Sequence, residues 1–224
     1  MKFKIIFAVF FFGIIIRAQS NNIRGSVTWR INGVKSIAGN ITEKIGVPVK
    51  VVTGSDTVIR FNGKSDGLMV YSNPIAGAEE FTVEVIFKPD SASFEKNHEQ
   101  RFVHIQERPS KRILIELRIT EKGRWFLDTF IKSDTSSKTL YSDDVTHPVN
   151  KWYCAALVYK DGLMKDYVNG KEEHRGKVNY IPMKDGKISI GVRQDLRSWF
   201  KGEIKEIRFT KKALPPSDFL NPVN

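Results

Sequence analysis

Residues 101–131 read RFVHIQERPSKRILIELRITEKGRWFLDTFI. Apolar side chains fall on every second position in three successive runs. Val103 and Ile105 alternate with Phe102, His104 and Gln106. Ile113, Ile115, Leu117 and Ile119 alternate with Leu114, Glu116 and Arg118. Trp125, Leu127, Thr129 and Ile131 alternate with Phe126, Asp128, Phe130 and Lys132. A period of two is the signature of a strand that buries one face. Three such runs in one stretch predict antiparallel sheet with one side turned to a core.

The same reading extends in both directions. Toward the N-terminus it predicts strands at Val49–Val52, Val58–Phe61, Leu68–Tyr71 and Phe81–Lys88. Toward the C-terminus it predicts strands at Trp152–Tyr159, Met164–Val168, Lys187–Val192 and Ile204–Thr210. Turn dipeptides punctuate the runs at Asn62-Gly63, Asp66-Gly67, Lys122-Gly123, Asp161-Gly162, Asn169-Gly170 and Asp185-Gly186. Outside the first twenty residues no long stretch carries a 3.6-residue period, and a helical turn is expected only near Pro215–Phe219. Many short strands at close spacing predict an all-β sandwich or barrel. No repeat, low-complexity run or proline-rich linker divides the chain.

The chain has 224 residues, 27% of them charged and 11% aromatic, which is globular and not disordered composition. The lone Cys154 excludes an intrachain disulfide framework and a multi-cysteine zinc site. It lies in the apolar run WYCAALVY and reads as a core thiol. Residues 1–19 have the three parts of a secretory signal: Lys2 and Lys4, an apolar run from Ile5 to Ile16, then small and polar residues. That run is shorter than the roughly 17–25 residues of a spanning helix. The expected organisation is a signal over 1–19, a lead-in or edge hairpin over 20–47, and one sandwich domain over 48–224. The expected location is secreted, periplasmic or at the cell surface, with no membrane span once the signal is removed.

Three segments beyond the alternation carry a family resemblance. FTVEVIFKPD (residues 81–90), with TVIRFNGKSDGLMV before it, resembles the opening strands of laminin-G-like domains in the concanavalin A-like lectin/glucanase superfamily. WYCAALVYKDGLMKDYVNG (152–170) resembles that family's hairpin. ISIGVRQDLRSWFKGEIKEIRFTKKAL (188–214) resembles its ending. The resemblance spans roughly residues 48–219. It implies a two-sheet antiparallel jelly-roll sandwich with one concave sheet on which glycans lie. Relatives include carbohydrate-binding modules, adhesion domains and glycan-processing enzymes, so the fold alone does not decide the activity. Lys205 stands where many relatives carry an acid near the final turn. That weakens a calcium site there and leaves Asp56, Asn62 and Asp66 as candidate donors for a structural calcium. No other cofactor is required.

On the side of the strands away from the core, the expected ligand residues are His104, Gln106, Glu116, Arg118, Asp128 and Arg193, with Trp199 from the loop GVRQDLRSWFK (191–201). Planar polar groups and aromatic faces suit a sugar, and arginine suits its carboxylate or sulfate. The net charge of +11 favours an acidic polysaccharide. Nucleic acid is not an expected partner, because the lysines are scattered and not striped. The superfamily's glucanases carry paired acids on one strand, whereas LDTF (127–130) and IELRI (115–119) hold one acid each. A polysaccharide lyase acting by β-elimination on uronate polymers is the enzymatic alternative, with His104, Gln106, Arg118 and Tyr153 as its candidate set. A protein-adhesion or assembly domain is the third reading.

Overall fold

The computed structural model describes residues 23–222, so the expected signal at 1–19 lies outside the described residues. The chain forms β1 (Ser26–Arg30), β2 (Ser36–Ile37), β3 (Asn40–Ile45), β4 (Val49–Thr53), β5 (Asp56–Asn62), β6 (Gly67–Val70), β7 (Phe81–Pro89) and β8 (Glu99–Arg108). It continues through β9 (Lys111–Ile119), β10 (Trp125–Ser133), β11 (Ser136–Tyr141), β12 (Tyr153–Lys160), β13 (Leu163–Val168), β14 (Lys171–Lys177), β15 (Lys187–Ile190) and β16 (Lys201–Thr210). A single helical turn, α1 (Phe94–Asn97), lies between β7 and β8 where none is expected, and one 3-10 turn, Pro216–Asp218, follows in the segment where a helical turn is expected.

The strands make two antiparallel sheets. Sheet I runs β14-β13-β12-β7-β16-β5-β4, with β1 also paired to β16. Sheet II runs β11-β10-β9-β8-β15-β6-β3-β2. Every strand read from the alternation is present. The segment 26–45 holds more than an edge hairpin. The β2–β3 pair does close one edge of sheet II, but β1 lies along β16 and places Trp29 fully in the core. A hydrogen bond of 2.7 Å joins Ser26 Oγ to Thr210 Oγ1, 184 residues later.

One apolar core fills the space between the sheets. Its centre is aromatic: Phe87 of β7 stacks on Phe102 of β8 at 4.5 Å and meets the edge of Trp125 of β10 at 5.3 Å. Phe102 breaks the alternation. A bulge between Arg101 and Val103 turns it inward, where it is fully buried. Tyr153 departs further from expectation. Between β11 and β12 the chain crosses to sheet I, so Tyr153 sits in the core beside Trp125, its hydroxyl donating to the Pro148 carbonyl at 2.7 Å. Cys154 is buried, and burial pushes its thiol pKa up.

Two glycines of the closing segment are required by space as well as by backbone. Gly191 has φ +79°, and a Cβ there would overlap the Phe61 ring. Gly202 has φ +148°, and a Cβ would strike the Lys88 carbonyl and the Phe200 ring. On the outer side of sheet I, Arg208 clamps Glu84 through Nε at 2.6 Å and Nη2 at 2.8 Å. Glu84 also accepts the Leu220 amide at 2.7 Å, which ties the last described residues down.

Candidate functional site

The solvent side of sheet II is built in register rows, because antiparallel pairing sets one residue of each strand beside its partners. One row reads Lys187, Gln106, Arg112 and Lys132, on β15, β8, β9 and β10. The next reads Ser189, His104, Leu114 and Phe130. A third reads Arg101, Glu116, Asp128 and Tyr141. Glu99 and Arg118 stand beyond it as partners of one another. The loop 191–200 folds back over this face.

The third row is a closed ion network. Arg118 donates through Nε to Asp128 Oδ2 at 2.6 Å and lies 3.2 Å from Glu99 Oε1. Arg101 donates to Glu99 Oε2 at 2.7 Å and pairs with Glu116 through Nε. Asp128 is 1% exposed and Glu116 4%. Burial, reinforced by the charge of Asp128, holds the Glu116 carboxyl well above the usual range. Burial raises Asp128 as well, against the pull of Arg118. Arg118 caps the network with its guanidinium 5.1 Å from the centre of the half-exposed Tyr141 ring.

His104 lies beneath the loop, 1% exposed. Its Nδ1 accepts the Gln194 backbone N–H at 3.0 Å, so the imidazole proton sits on Nε2. The Gln194 amide nitrogen donates to the His104 carbonyl at 3.2 Å and to the Lys187 carbonyl at 2.9 Å. Burial, then the charges of Arg112 and Arg101, pull the His104 pKa down to about 3. It is therefore a neutral post that positions the loop. The same loop is fixed by Ser198, whose carbonyl accepts the Arg101 N–H at 2.9 Å. Arg193 and Arg197 both reach Asp195, at 3.4 and 2.9 Å. Trp199 lies half-buried, bridged to Arg101 at the backbone.

A cleft of about 340 Å³ opens where the first row meets the loop. Tyr71, Gln106, Glu107, Asp185, Lys187 and Gln194 line it. Tyr71 follows directly on β6, is 64% exposed, and donates its hydroxyl to Glu43. Lys187 holds its ammonium 5.6 Å from the Tyr71 ring centre. Glu107 is spent on Arg108 and on the Lys184 amide. A larger cavity, about 440 Å³, lies on sheet I against Tyr167, Pro215 and Pro216. Its two lysines are already paired, Lys160 with Glu80 and Lys165 with Glu172.

His104, Gln106, Glu116, Arg118 and Asp128 thus share one face. Only Gln106 lines the cleft; Glu116 and Asp128 are closed into ion pairs, and His104 is roofed by the loop. Arg193 is turned to Asp195. The lyase set is not assembled, since Tyr153 is in the core of the opposite sheet and His104 is a very weak base under cover. Asp56, Asn62 and Asp66 are each committed to protein donors. Asp56 pairs with Lys205 at 2.7 Å, and Asn62 Oδ1 accepts the Lys64 and Ser65 amides. Asp66 accepts the Val47 and Asn62 amides at 2.8 and 3.1 Å. No group of three or more His, Cys, Asp or Glu able to hold a metal ion occurs among the described residues.

With this geometry the chain can be compared with known proteins. A laminin-G family profile, described as concanavalin A-like lectin/glucanases superfamily, matches residues 62–218. The chain belongs to that family. Among solved structures this laminin-G-like domain resembles domain 4 of AbnA, a GH43 extracellular arabinanase from Geobacillus stearothermophilus, in complex with arabinotriose. The TM-score is 0.57 at 19% identity, over 86% of this chain and 85% of that one. It also resembles the binding domain of botulinum neurotoxin DC in complex with SialylT, with TM-score 0.62 and 15% identity. That match covers 87% of this chain but 50% of the toxin domain. A SAP-like pentraxin from Limulus polyphemus gives 0.56 at 19% identity, over 74% and 81% of the two chains. At these identities the likeness is one of fold. No curated protein matches the sequence.

Proposed function

We propose that this is an exported carbohydrate-binding domain whose ligand sits on the solvent side of sheet II, in the cleft beside Tyr71. One observation carries the reading. An exposed aromatic ring, two amides and an ammonium with no ion pair among the described residues converge on a cleft of about 340 Å³. Sugars offer an apolar ring face and a rim of hydroxyls, and such a site answers both with few polar groups. Two of the similar folds named above carry an arabinotriose and SialylT in their complexes, which supports a glycan as the class of ligand. Export rests on residues 1–19, and preference for an acidic polysaccharide rests on the charge of +11. Among the described residues no helix is long and apolar enough to cross a membrane.

A glycan array probed at low and high salt tests the reading. Tyr71→Ala and Gln106→Ala should each weaken binding at least about tenfold, a change worth about 1.4 kcal/mol. Both side chains are at the surface, so the melting temperature should stay within a few degrees. Binding that survives both substitutions places the ligand elsewhere and overturns the assignment.

A further inference from the structure

The first register row extends beyond the cleft, and its charges are treated unlike those elsewhere in the fold. Arg101, Arg118, Arg60 and Arg208 each sit against a carboxylate. Lys187, Arg112 and Lys132 have no acidic partner within 4 Å among the described residues. The Arg112 guanidinium rests 5.2 Å from the Phe130 ring centre, donates to the Pro109 carbonyl, and keeps a buried Nε without a partner. Arg112 and Lys132 stand directly opposite one another on β9 and β10. Like charges so placed repel and weaken a sheet. The acids nearby offset this only in part: Asp195 and Glu116 act on Arg112 from beyond contact, but Asp195 is engaged by Arg193 and Arg197, Glu116 by Arg101 and Glu107 by Arg108, and Asp185 lies at the far end beside Lys187. The fold therefore maintains a local repulsion that an external anion would remove.

We infer that Lys187, Arg112 and Lys132 form a track for a linear polyanion, a sugar polymer bearing carboxylate or sulfate groups on successive units, running across the strands from the Tyr71 cleft toward β10. The inference deepens the carbohydrate-binding reading and rests on it. The three cations span three strand spacings, about 14 Å. Gln106 stands between Lys187 and Arg112 as a neutral hydrogen-bonding group for hydroxyls. The flat guanidinium of Arg112, held on Phe130, is set to take a carboxylate or sulfate through two parallel N–H groups. The two lysines answer as point charges.

The test is titration of the full domain with polygalacturonate, dextran sulfate and uncharged dextran at two salt concentrations. The proteins are the wild type, Arg112→Gln, Lys132→Gln, and the triple variant that adds Lys187→Gln. Lys171→Gln/Lys177→Gln, on exposed β14, is the control for general charge. At least one polyanion should bind more tightly than dextran, and salt should weaken it. The triple variant should lose at least about tenfold, the single variants less, and the control little. Carboxylate and sulfate sources are separated by which polymer binds. Lys132→Gln touches only a surface side chain and remains informative if Arg112→Gln folds poorly. Equal losses in the control and triple variants overturn the track. Glycan binding that is lost in Tyr71→Ala but untouched in the triple variant overturns the track and keeps the cleft. Absence of binding to every polymer, with an unresponsive glycan array, overturns both.

Discussion

Arg101 and Arg118 on one side of His104, and Arg112 and Lys132 on the other, are cations on a single face of one sheet, with Arg112 and Arg118 six residues apart along β9. The first two are packed against Glu99, Glu116 and Asp128; Arg101 is buried with them, and Arg118, about a quarter of its side chain exposed, closes the network from above. The second two face each other without a carboxylate. The difference lies in what each row was left without. A buried charge must find its partner inside the fold, since an unpaired one costs several kcal/mol. A half-exposed charge can leave its partner to solvent or to a ligand. Here the buried carboxylates Glu116 and Asp128 make the division: the arginines they need hold the sheet, and the cations with no such neighbour stay available to bind.

The comparison breaks most visibly at Arg101. Arg101→Ala strands buried Glu116 and should lower unfolding stability by about 3–5 kcal/mol, read as a shift of the urea midpoint. An effect under 1 kcal/mol would mean the network is no more than a surface pairing. Next comes pH. The folded Glu116 carboxyl holds its proton to a higher pH than the unfolded one, whose pKa is about 4.3. Its contribution is fully present below that pH and is lost as pH rises through the raised folded value. Glu116→Gln should flatten this decline, so the stability difference between variant and wild type should grow from pH 5 to pH 8. A constant difference would show that Glu116 ionises normally.

Smaller again is the effect on stability of Arg112→Gln/Lys132→Gln. Removing a repulsion should leave the fold unchanged or stabilise it by up to about 1 kcal/mol, opposite in sign to Arg101→Ala. A clear destabilisation would place Arg112 with the structural row. The smallest effect concerns the loop. His104→Phe removes the acceptor of the Gln194 N–H, so exchange of that amide should quicken while global stability changes little in proportion. Because the folded His104 pKa lies near 3, the tether should hold unchanged from pH 8 to pH 5. Loss of protection as pH falls through 6.5 would contradict a neutral buried imidazole.

The sandwich was legible because its inner strands alternate strictly over long runs. The strands that escaped reading are β1, β11 and β14, while β2 and β3 were met only as the edge-hairpin alternative for 20–47. SSKTLY and KEEHRGK are polar because β11 and β14 are edge strands that bury few side chains. The alternation also placed His104, Gln106, Glu116, Arg118 and Asp128 on one face. Period alone cannot report how deeply a face is covered, and the loop that buries His104 arrives from ninety residues away. Phe102 and Tyr153 were misplaced for separate reasons: a one-residue bulge in β8, and a crossing between sheets that leaves no mark in the local pattern. Lys187, Arg112 and Gln194 went unnoticed because their meaning comes from register between strands. The short hairpin from Gln106 to Arg112 is the one signal that could have paired β8 with β9 in advance.

The pairing of β1 with β16 has a consequence for how the molecule comes into being. The first described strand waits for the last, and the hydroxyls of Ser26 and Thr210 meet only across a separation of 184 residues. Long-range closures of this kind slow folding. A chain emerging from the ribosome would carry β1 without its neighbour until β16 had been made. Refolding in vitro should be limited by this late zipping, with Trp29 the last of the core indoles to lose contact with water.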